Sequence, residues 1–450
     1  MQTNFTKKQL SAPRLAEAES ILQKCVQCGL CNATCSSYVL LKDERDGPRG
    51  RIFMIKDMLE GGKRNNSGVR EHLDRCMSCL SCVTTCPADV DYMHLVDLAK
   101  VYVEETGQRS TREKFFRALL SKILPYPNRF RAALTAAIVI RPFRKVFDWL
   151  KLKEISAMLE LVPSNPFRKA QFSGPGMAKP HRYRTKRVSL MRGCTQQVLR
   201  PEINDATVRL LARQGVEVII PQESGCCGSL DYNMGKESEA LAAARHNVDA
   251  WYELMRDEPL DAIIINAGGC GTTVKDYRQM LSHDPAYSRR AEEISDIAQD
   301  ISEFLVNFDQ DAPHGWSSIK VAYHSACTMQ HGQKVNDQPR YLLQQAGYTV
   351  LEVPEGHICC GSGGTFNMLQ PDLASDLRER KVRNIESIRP DVIATGNIGC
   401  ISQIAAGTDI PIVHTVELLD WALGGPCPRG MEKLRDKVTE VSSIYKEAAE

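Results

Sequence analysis

The chain predicts a multidomain fold, α and α/β: a helical, cysteine-rich N-terminal module, then two repeated α/β domains with parallel sheets. Two observations predict it. Eight of the 17 cysteines fall into two matching runs that end at Cys86. From Arg187 onward, short β-branched runs alternate with helical segments, and the alternation occurs twice, each time around a Cys-Cys-Gly triplet. Alternating β and α segments argue for parallel sheets flanked by helices.

The N-terminal module spans residues 1–110. Its runs are Cys25-x2-Cys28-x2-Cys31-x3-Cys35 and Cys76-x2-Cys79-x2-Cys82-x3-Cys86, the second followed by Pro87. This is the spacing of bacterial ferredoxins, which hold cubane [4Fe–4S] clusters on thiolates. Three cysteines two residues apart wrap one cube, and the fourth reaches the other. The predicted sets are therefore Cys25, Cys28, Cys31 and Cys86, and Cys76, Cys79, Cys82 and Cys35. Paired zinc sites do not need this order, and a disulfide framework suits small secreted chains. Between the runs, Arg49–Glu60 has helical spacing with Ile52, Ile55 and Leu59 on one face, ended by Gly61-Gly62. His72–Cys76 and His94–Glu105 also read as helices. The module is thus an α-helical ferredoxin rather than a compact β-rich one.

Residues 111–160 read as basic amphipathic helices broken at Pro125, Pro127 and Pro142. Residues 161–186, with Pro163, Pro166, Gly174, Pro175, Gly176 and Pro180, read as a linker. Together, residues 111–186 separate the module from the repeats. Between Arg112 and Arg187 there are 18 Lys/Arg against four acids, while the whole chain carries only +2. Such a block suits an anionic membrane surface or an acidic partner, and equally a solvated helix face.

The repeats are expected at 187–312 and 313–450. Strand candidates in the first are Arg187–Met191, Val216–Ile220 and Ala262–Ile265, with helices at Ala206–Gln214 and Ser238–Met255. In the second they are Val321–Tyr323, Tyr348–Val353, Val392–Thr395 and Ile410–Val413. Cys194 and Cys226 are 32 residues apart, as are Cys327 and Cys359. The triplets are Cys226-Cys227-Gly228 and Cys359-Cys360-Gly361. Cys270 and Cys400 each follow later in their half. These eight cysteines sit where strands end, the side of a parallel sheet that binds ligands. They suit a further iron–sulfur centre, a redox-active dithiol, or small residues in tight turns. His324 and His331 flank Cys327 as candidate proton donors or ligands, or as structural residues. Cys427 is left over and reads as structural.

The longest apolar run, Ala132–Ile140, is far short of the roughly 20 residues that a membrane span needs. No signal segment is visible, and so many cysteines without one point to a reducing, cytoplasmic compartment. No G-x-G-x-x-G follows a strand, since Gly361-Ser-Gly-Gly has the wrong spacing, and there is no P-loop. Hydride chemistry is therefore expected on another chain. Nothing points to nucleic acid.

Several stretches resemble the iron–sulfur subunits of glycolate dehydrogenase (glycolate oxidase). They are Cys25-Val-Gln-Cys-Gly-Leu-Cys31, Asp46-Gly-Pro-Arg-Gly-Arg-Ile52, Glu71-His-Leu-Asp-Arg-Cys76, Gly225-Cys-Cys-Gly228, His246-Asn-Val-Asp-Ala-Trp251 and Cys359-Cys-Gly-Ser362. The likeness covers nearly the whole chain. Its Cys-Cys-Gly half is shared with subunits of heterodisulfide reductase, glycerol-3-phosphate dehydrogenase and lactate oxidation complexes. The resemblance implies FAD-containing partner subunits that oxidise glycolate to glyoxylate. It also implies that this chain passes electrons to a quinone or other membrane acceptor, with peripheral contact at the inner membrane face through the basic 112–187 segment. Family members with non-cubane clusters carry C-x2-C late in each half. Here Cys270 is followed by Gly-Thr-Thr and Cys400 by Ile-Ser-Gln, which leaves four cysteines per half. Ser36 stands where the second run has Pro87, with no effect on ligation expected.

Overall fold

The computed structural model describes residues 1–61, 67–107, 109–150, 152–162, 170–172, 174–308 and 316–435. Gly62, Pro163, Pro166 and the boundary expected at 312/313 lie outside the described residues.

The N-terminal module is helical. Pro13–Lys24, Pro48–Gly61 and Tyr92–Thr106 pack around Leu22, Ile52, Ile55, Leu59, Leu95 and Ala99, all buried. Each such aliphatic side chain stabilises by about 1.5–3 kcal/mol relative to exposure. The expected His72–Cys76 helix is corrected: the helix runs Ser67–Asp74. Cys76 is outside it because the chain must there turn into the cysteine loop.

Helices follow at Thr111–Ile123, Pro127–Ile140, Arg144–Trp149 and Lys153–Glu160. Pro127 starts its helix at the first turn, where its missing N–H costs nothing. No helix among the described residues is long and apolar enough to cross a membrane.

Among the described residues, nine strands form two sheets. The first contains β1 (Gly176–Ala178), β2 (Lys186–Met191), β3 (Val216–Ile220), β4 (Ala262–Ile265) and β5 (Ala298–Asp300), in the order β1-β3-β2-β4-β5. The second contains β6 (Lys320–Tyr323), β7 (Thr349–Glu352), β8 (Val392–Thr395) and β9 (Ile412–His414), in the order β7-β6-β8-β9. All pairings are parallel except β1 with β3. Setting β1 aside, the orders are the same, so the cysteine repeat is a repeat of folds. In each, the chain reverses direction across the sheet after its first two strands, which opens a crevice at the carboxyl ends of β2 and β4, and of β6 and β8. β1 and β5 were not anticipated. β1 lies in the stretch read as linker, and it pairs antiparallel along the free edge of β3.

The triplet glycines explain themselves here. Gly228 has φ +88° and Gly361 φ +90°, the left-handed region that L side chains avoid. A Cβ would also meet Ala240 O at 2.9 Å and Ala374 O at 2.5 Å, on the helices packed against each triplet. Only glycine lets the loop turn this close to the helix backbone.

The module is fastened to both repeats. His94 Nε2 bonds Asp276 Oδ1 at 2.8 Å and His94 Nδ1 bonds Asp91 Oδ2 at 2.5 Å. On the other side, the backbone N–H of Cys359 donates to Ser36 Oγ at 3.1 Å, and Thr84 Oγ1 bonds His331 Nδ1 at 2.7 Å.

Two outcomes follow from these contacts. Burial opposes the charge on His94, but Asp276 and Asp91 outweigh it and push its pKa up to about 11 from 6.5. Its contribution is thus full below pH 6.5 and fades as pH rises towards 11. His94→Gln should cost on the order of 2 kcal/mol at pH 6, and denaturant titrations should show the gap from wild type closing by pH 10. Gly361→Ala should lower stability by on the order of 2 kcal/mol in the same assay. Gly174→Ala, where nothing lies within 4 Å of an added Cβ, should stay within about 0.5 kcal/mol.

Candidate metal centres

The two cysteine loops of the module share one backbone. Gln27 (φ 60°) and Gly29 (φ 81°) in the first match Ser78 (φ 50°) and Leu80 (φ 64°) in the second. Successive left-handed residues curl each loop so that its thiols face one point. Short helices, Leu30–Ala33 and Ser81–Thr85, begin directly afterwards. Cys25, Cys28, Cys31 and Cys86 line one cavity, which Cys82 also borders. Cys35, Cys76, Cys79 and Cys82 line a second. The last cysteine of each run therefore crosses to the other run's cavity, and Tyr92 and Pro48 stand between both.

The cavities differ electrostatically. Cys28 is exposed, with exposed Val26 and Leu30 beside it. The second cavity is buried and cationic. Arg51, only 1% exposed, places Nη1 3.8 Å from Cys35 Sγ, donates from Nη2 to Ser37 Oγ at 3.0 Å and from Nε to His72 O at 2.8 Å. Lys100 Nζ donates to Ser78 Oγ at 2.7 Å. Burial alone would raise the Cys76 thiol, but Arg51 and Lys100 outweigh it and hold it below the usual range. Burial, then Cys25 and Cys86, push Cys31 up to about 11. Burial likewise raises Cys79 and Cys82 strongly, so their thiols ionise only with a metal to neutralise them. Four converging thiols in each cavity, with buried cations at one, fit an iron–sulfur cluster in each.

Each repeat also gathers its four cysteines. Cys194 touches Cys226, Cys226 touches Cys227, and Cys227 touches Cys270. Cys327, Cys359, Cys360 and Cys400 form the same series, with Cys327 Sγ 3.9 Å from Cys359 Sγ. Cys194 and Cys327 follow β2 and β6, the triplets follow β3 and β7, and Cys270 and Cys400 open helices after β4 and β8. Backbone N–H groups of Gly228 and Gly361 point at Cys226 Sγ (3.5 Å) and Cys359 Sγ (3.4 Å). Helix starts and such donors favour thiolate. The donor sets fit a metal in each repeat. Cys427 lies apart from them, with its Sγ 3.6 Å from Pro428 O.

Between the repeats lies a cavity of about 330 Å³. Cysteines of both repeats border it, and its opposite wall is the helical segment, through Leu120, Ile123, Phe130, Leu134, Met158 and Val162. The second module loop reaches the second repeat: Cys79 lies within electrostatic reach of Cys327 and Cys359.

The two flanking histidines separate. His331 is tied to Thr84. His324 is 2% exposed, neither ring nitrogen has a hydrogen-bond partner, and burial pushes its pKa down to about 3. It comes together with Cys360 and Cys400, with ligand atoms all within 4.8 Å of one another. Sequence reasoning missed Arg51, Lys100, Lys381 and Ser36. The one available signal was Ser36 standing in place of proline: a proline there would have no hydroxyl for the Cys359 N–H.

Comparisons with known proteins agree with this geometry. A family model described as 4Fe-4S dicluster domain matches residues 21–90, and one described as Cysteine-rich domain matches 188–275 and 321–405. The chain is 39% identical to the glycolate oxidase iron–sulfur subunit of Escherichia coli K12, over 94% of this chain and 99% of that protein. A probable glycolate oxidase iron–sulfur subunit of Bacillus subtilis 168 is 28% identical over 91% of this chain and 96% of its own. Lactate utilization protein A of Halalkalibacterium halodurans is 29% identical over 52% of this chain and 96% of its own. A hypothetical protein from Helicobacter pylori shares the fold (TM-score 0.53, 10% identity, 94% of this chain and 76% of that one). With its crossed cysteine loops and two Cys-Cys-Gly sheets, the chain belongs to the family of glycolate oxidase iron–sulfur subunits.

Proposed function

We propose that this chain is the electron-transfer subunit of a glycolate dehydrogenase complex. In this reading, [4Fe–4S] clusters are held by Cys25, Cys28, Cys31 and Cys86, and by Cys35, Cys76, Cys79 and Cys82. Cys194, Cys226, Cys227 and Cys270, and Cys327, Cys359, Cys360 and Cys400, hold further iron–sulfur centres. The observation that carries it is the unbroken adjacency of thiol sets: exposed at Cys28, shared at Cys82, and continued from Cys79 to Cys327 and Cys359. A bound iron–sulfur cluster takes up and releases one electron at a time. The chain's own residues provide the rest. Arg51, Lys100 and Lys381 offset thiolate charge, and Tyr92 keeps water out between the first two sets.

The FAD-containing partner subunits dock where Cys28, Val26 and Leu30 are exposed, and glycolate is oxidised there, on the partners. A quinone-type acceptor is supported by the apolar cavity at the far end. Peripheral membrane contact is supported by the outer face of the helical segment. Val139, Phe143, Val146, Trp149 and Leu150 are exposed there beside exposed Arg141 and Lys145. A contiguous apolar patch rimmed by cations suits an anionic bilayer surface.

A second reading is a subunit serving lactate, which the match to lactate utilization protein A favours. Subunits serving glycerol 3-phosphate or a heterodisulfide share the same Cys-Cys-Gly half.

Reconstitution decides among them. With co-purified flavoprotein subunits, glycolate should bleach a dye through this chain, while the chain alone should leave glycolate untouched. Faster bleaching with lactate would select the second reading. Iron should exceed eight per chain, at four per cubane, and fall towards eight in a Cys194→Ser, Cys327→Ser double variant. For the membrane face, vesicles containing anionic lipid should retain the protein at low salt and release it at high salt. Phe143→Glu with Trp149→Glu should weaken retention at least tenfold.

A further inference from the structure

The two repeats match in strand order and in cysteine positions, yet their sites are not equivalent. Cys194 and Cys327 differ by 133 in number, so His324 occupies the place that Met191 has in the first repeat. Met191 ends β2, His324 follows β6, and both are buried. The backbone of His324 is fixed, because its N–H donates to Ala394 O at 2.8 Å and prolongs the β6–β8 ladder by one residue. The ring is therefore held against Cys360 and Cys400, with ligand atoms within 4.8 Å of each other.

Among the described residues, none hydrogen-bonds this ring. Both nitrogens lack hydrogen-bond partners, although the residue is 2% exposed. A buried imidazole with two idle nitrogens is abnormal, because buried polar groups are normally paired. His414, equally buried, at least accepts the N–H of Val416 on Nδ1. His331 has Thr84. Among the described residues, His324 alone combines full burial, two idle nitrogens and two cysteine sulfurs at hand.

A second difference lies beside it. Lys381 is 1% exposed and donates from Nζ to Glu355 O at 2.8 Å; burial lowers its pKa, and the nearby Cys360, Cys359 and Cys400 favour its charge without outweighing that. Ala374 and Ala240 oppose the two triplet glycines, so Lys381 corresponds to Asn247. Asn247 is neutral and donates to Cys226 O. The second site thus has an imidazole and a buried cation where the first has a thioether and an amide.

We infer that His324 is a nitrogen donor to the iron–sulfur centre of the second repeat, and that the first repeat's centre has cysteine donors only. This rests on the reading that Cys327, Cys359, Cys360 and Cys400 hold such a centre. The neutral imidazole gives its lone pair to iron through one nitrogen and keeps the proton on the other, so no proton is released. A neutral imidazole added to those four thiolates leaves the charge of the centre unchanged, while the buried ammonium of Lys381 beside it raises its potential. The second repeat is then the more oxidising of the two, and its cysteines are the ones within reach of Cys79.

The test uses the full-length, cluster-loaded protein and pulsed EPR of each paramagnetic state. Wild type should show a strongly coupled 14N nucleus that becomes 15N when only histidine is labelled. His324→Leu should abolish that coupling and leave the signals of the N-terminal pair unchanged. A coupling that ignores histidine labelling, or that survives in His324→Leu, overturns the inference. The labelling arm needs no variant, so it holds even if His324→Leu folds poorly. Cys400→Ser separates the underlying reading. Iron content unchanged by Cys400→Ser, or zinc in place of iron, sinks the second-repeat centre itself. Iron that falls while no histidine coupling exists sinks only the role of His324.

Discussion

Sulfur must lose its proton to bind iron, and ionised sulfur is costly to bury. The architecture is organised around that constraint. Arg51 and Lys100 stand beside the thiols of the inner module cavity. Lys381 stands beside those of the second repeat. The backbone N–H groups of the triplet glycines serve Cys226 and Cys359, and two helix starts serve Cys270 and Cys400. Without metal, burial drives most of these thiols towards the neutral form. Folding and metal loading are therefore coupled.

The left-handed residues meet the same constraint in the backbone. Gln27, Gly29, Ser78 and Leu80 turn two loops inward, and Gly228 and Gly361 press the triplets against helices. Leu80 has a full side chain in a conformation that costs roughly 1–2 kcal/mol, offset by the packing of its side chain against Gly332. These positions store local strain for the sake of where sulfur points.

Much of this was legible in the sequence because cysteine spacing is a direct statement of geometry. The crossed pairing of Cys35 and Cys86 follows from the runs, and the triplet repeat follows from counting. The β-branched strands at Val216–Ile220, Ala262–Ile265 and Val392–Thr395 are long and apolar enough to declare themselves. The rest depends on contacts between distant residues. Arg51 looks like any helical arginine until Cys35 is placed beside it. His324 and His331 are alike in sequence, and only the fold gives one to Thr84 and leaves the other facing sulfur. β1 and β5 are three residues each, too short to show a period. The helices at 111–160 read as a basic surface. Their inner faces, at Phe130 and Leu134, become a cavity wall only once both repeats stand opposite.

The fastening of the module to the second repeat also separates its two thiol sets by access. The Cys359 N–H grips Ser36, His331 grips Thr84, and Gly332 lies against Leu80, so the second repeat closes over the loops that carry Cys35, Cys79 and Cys82, all three buried. Cys28 of the other set stays open to solvent, so a water-borne thiol reagent meets it before any of those three.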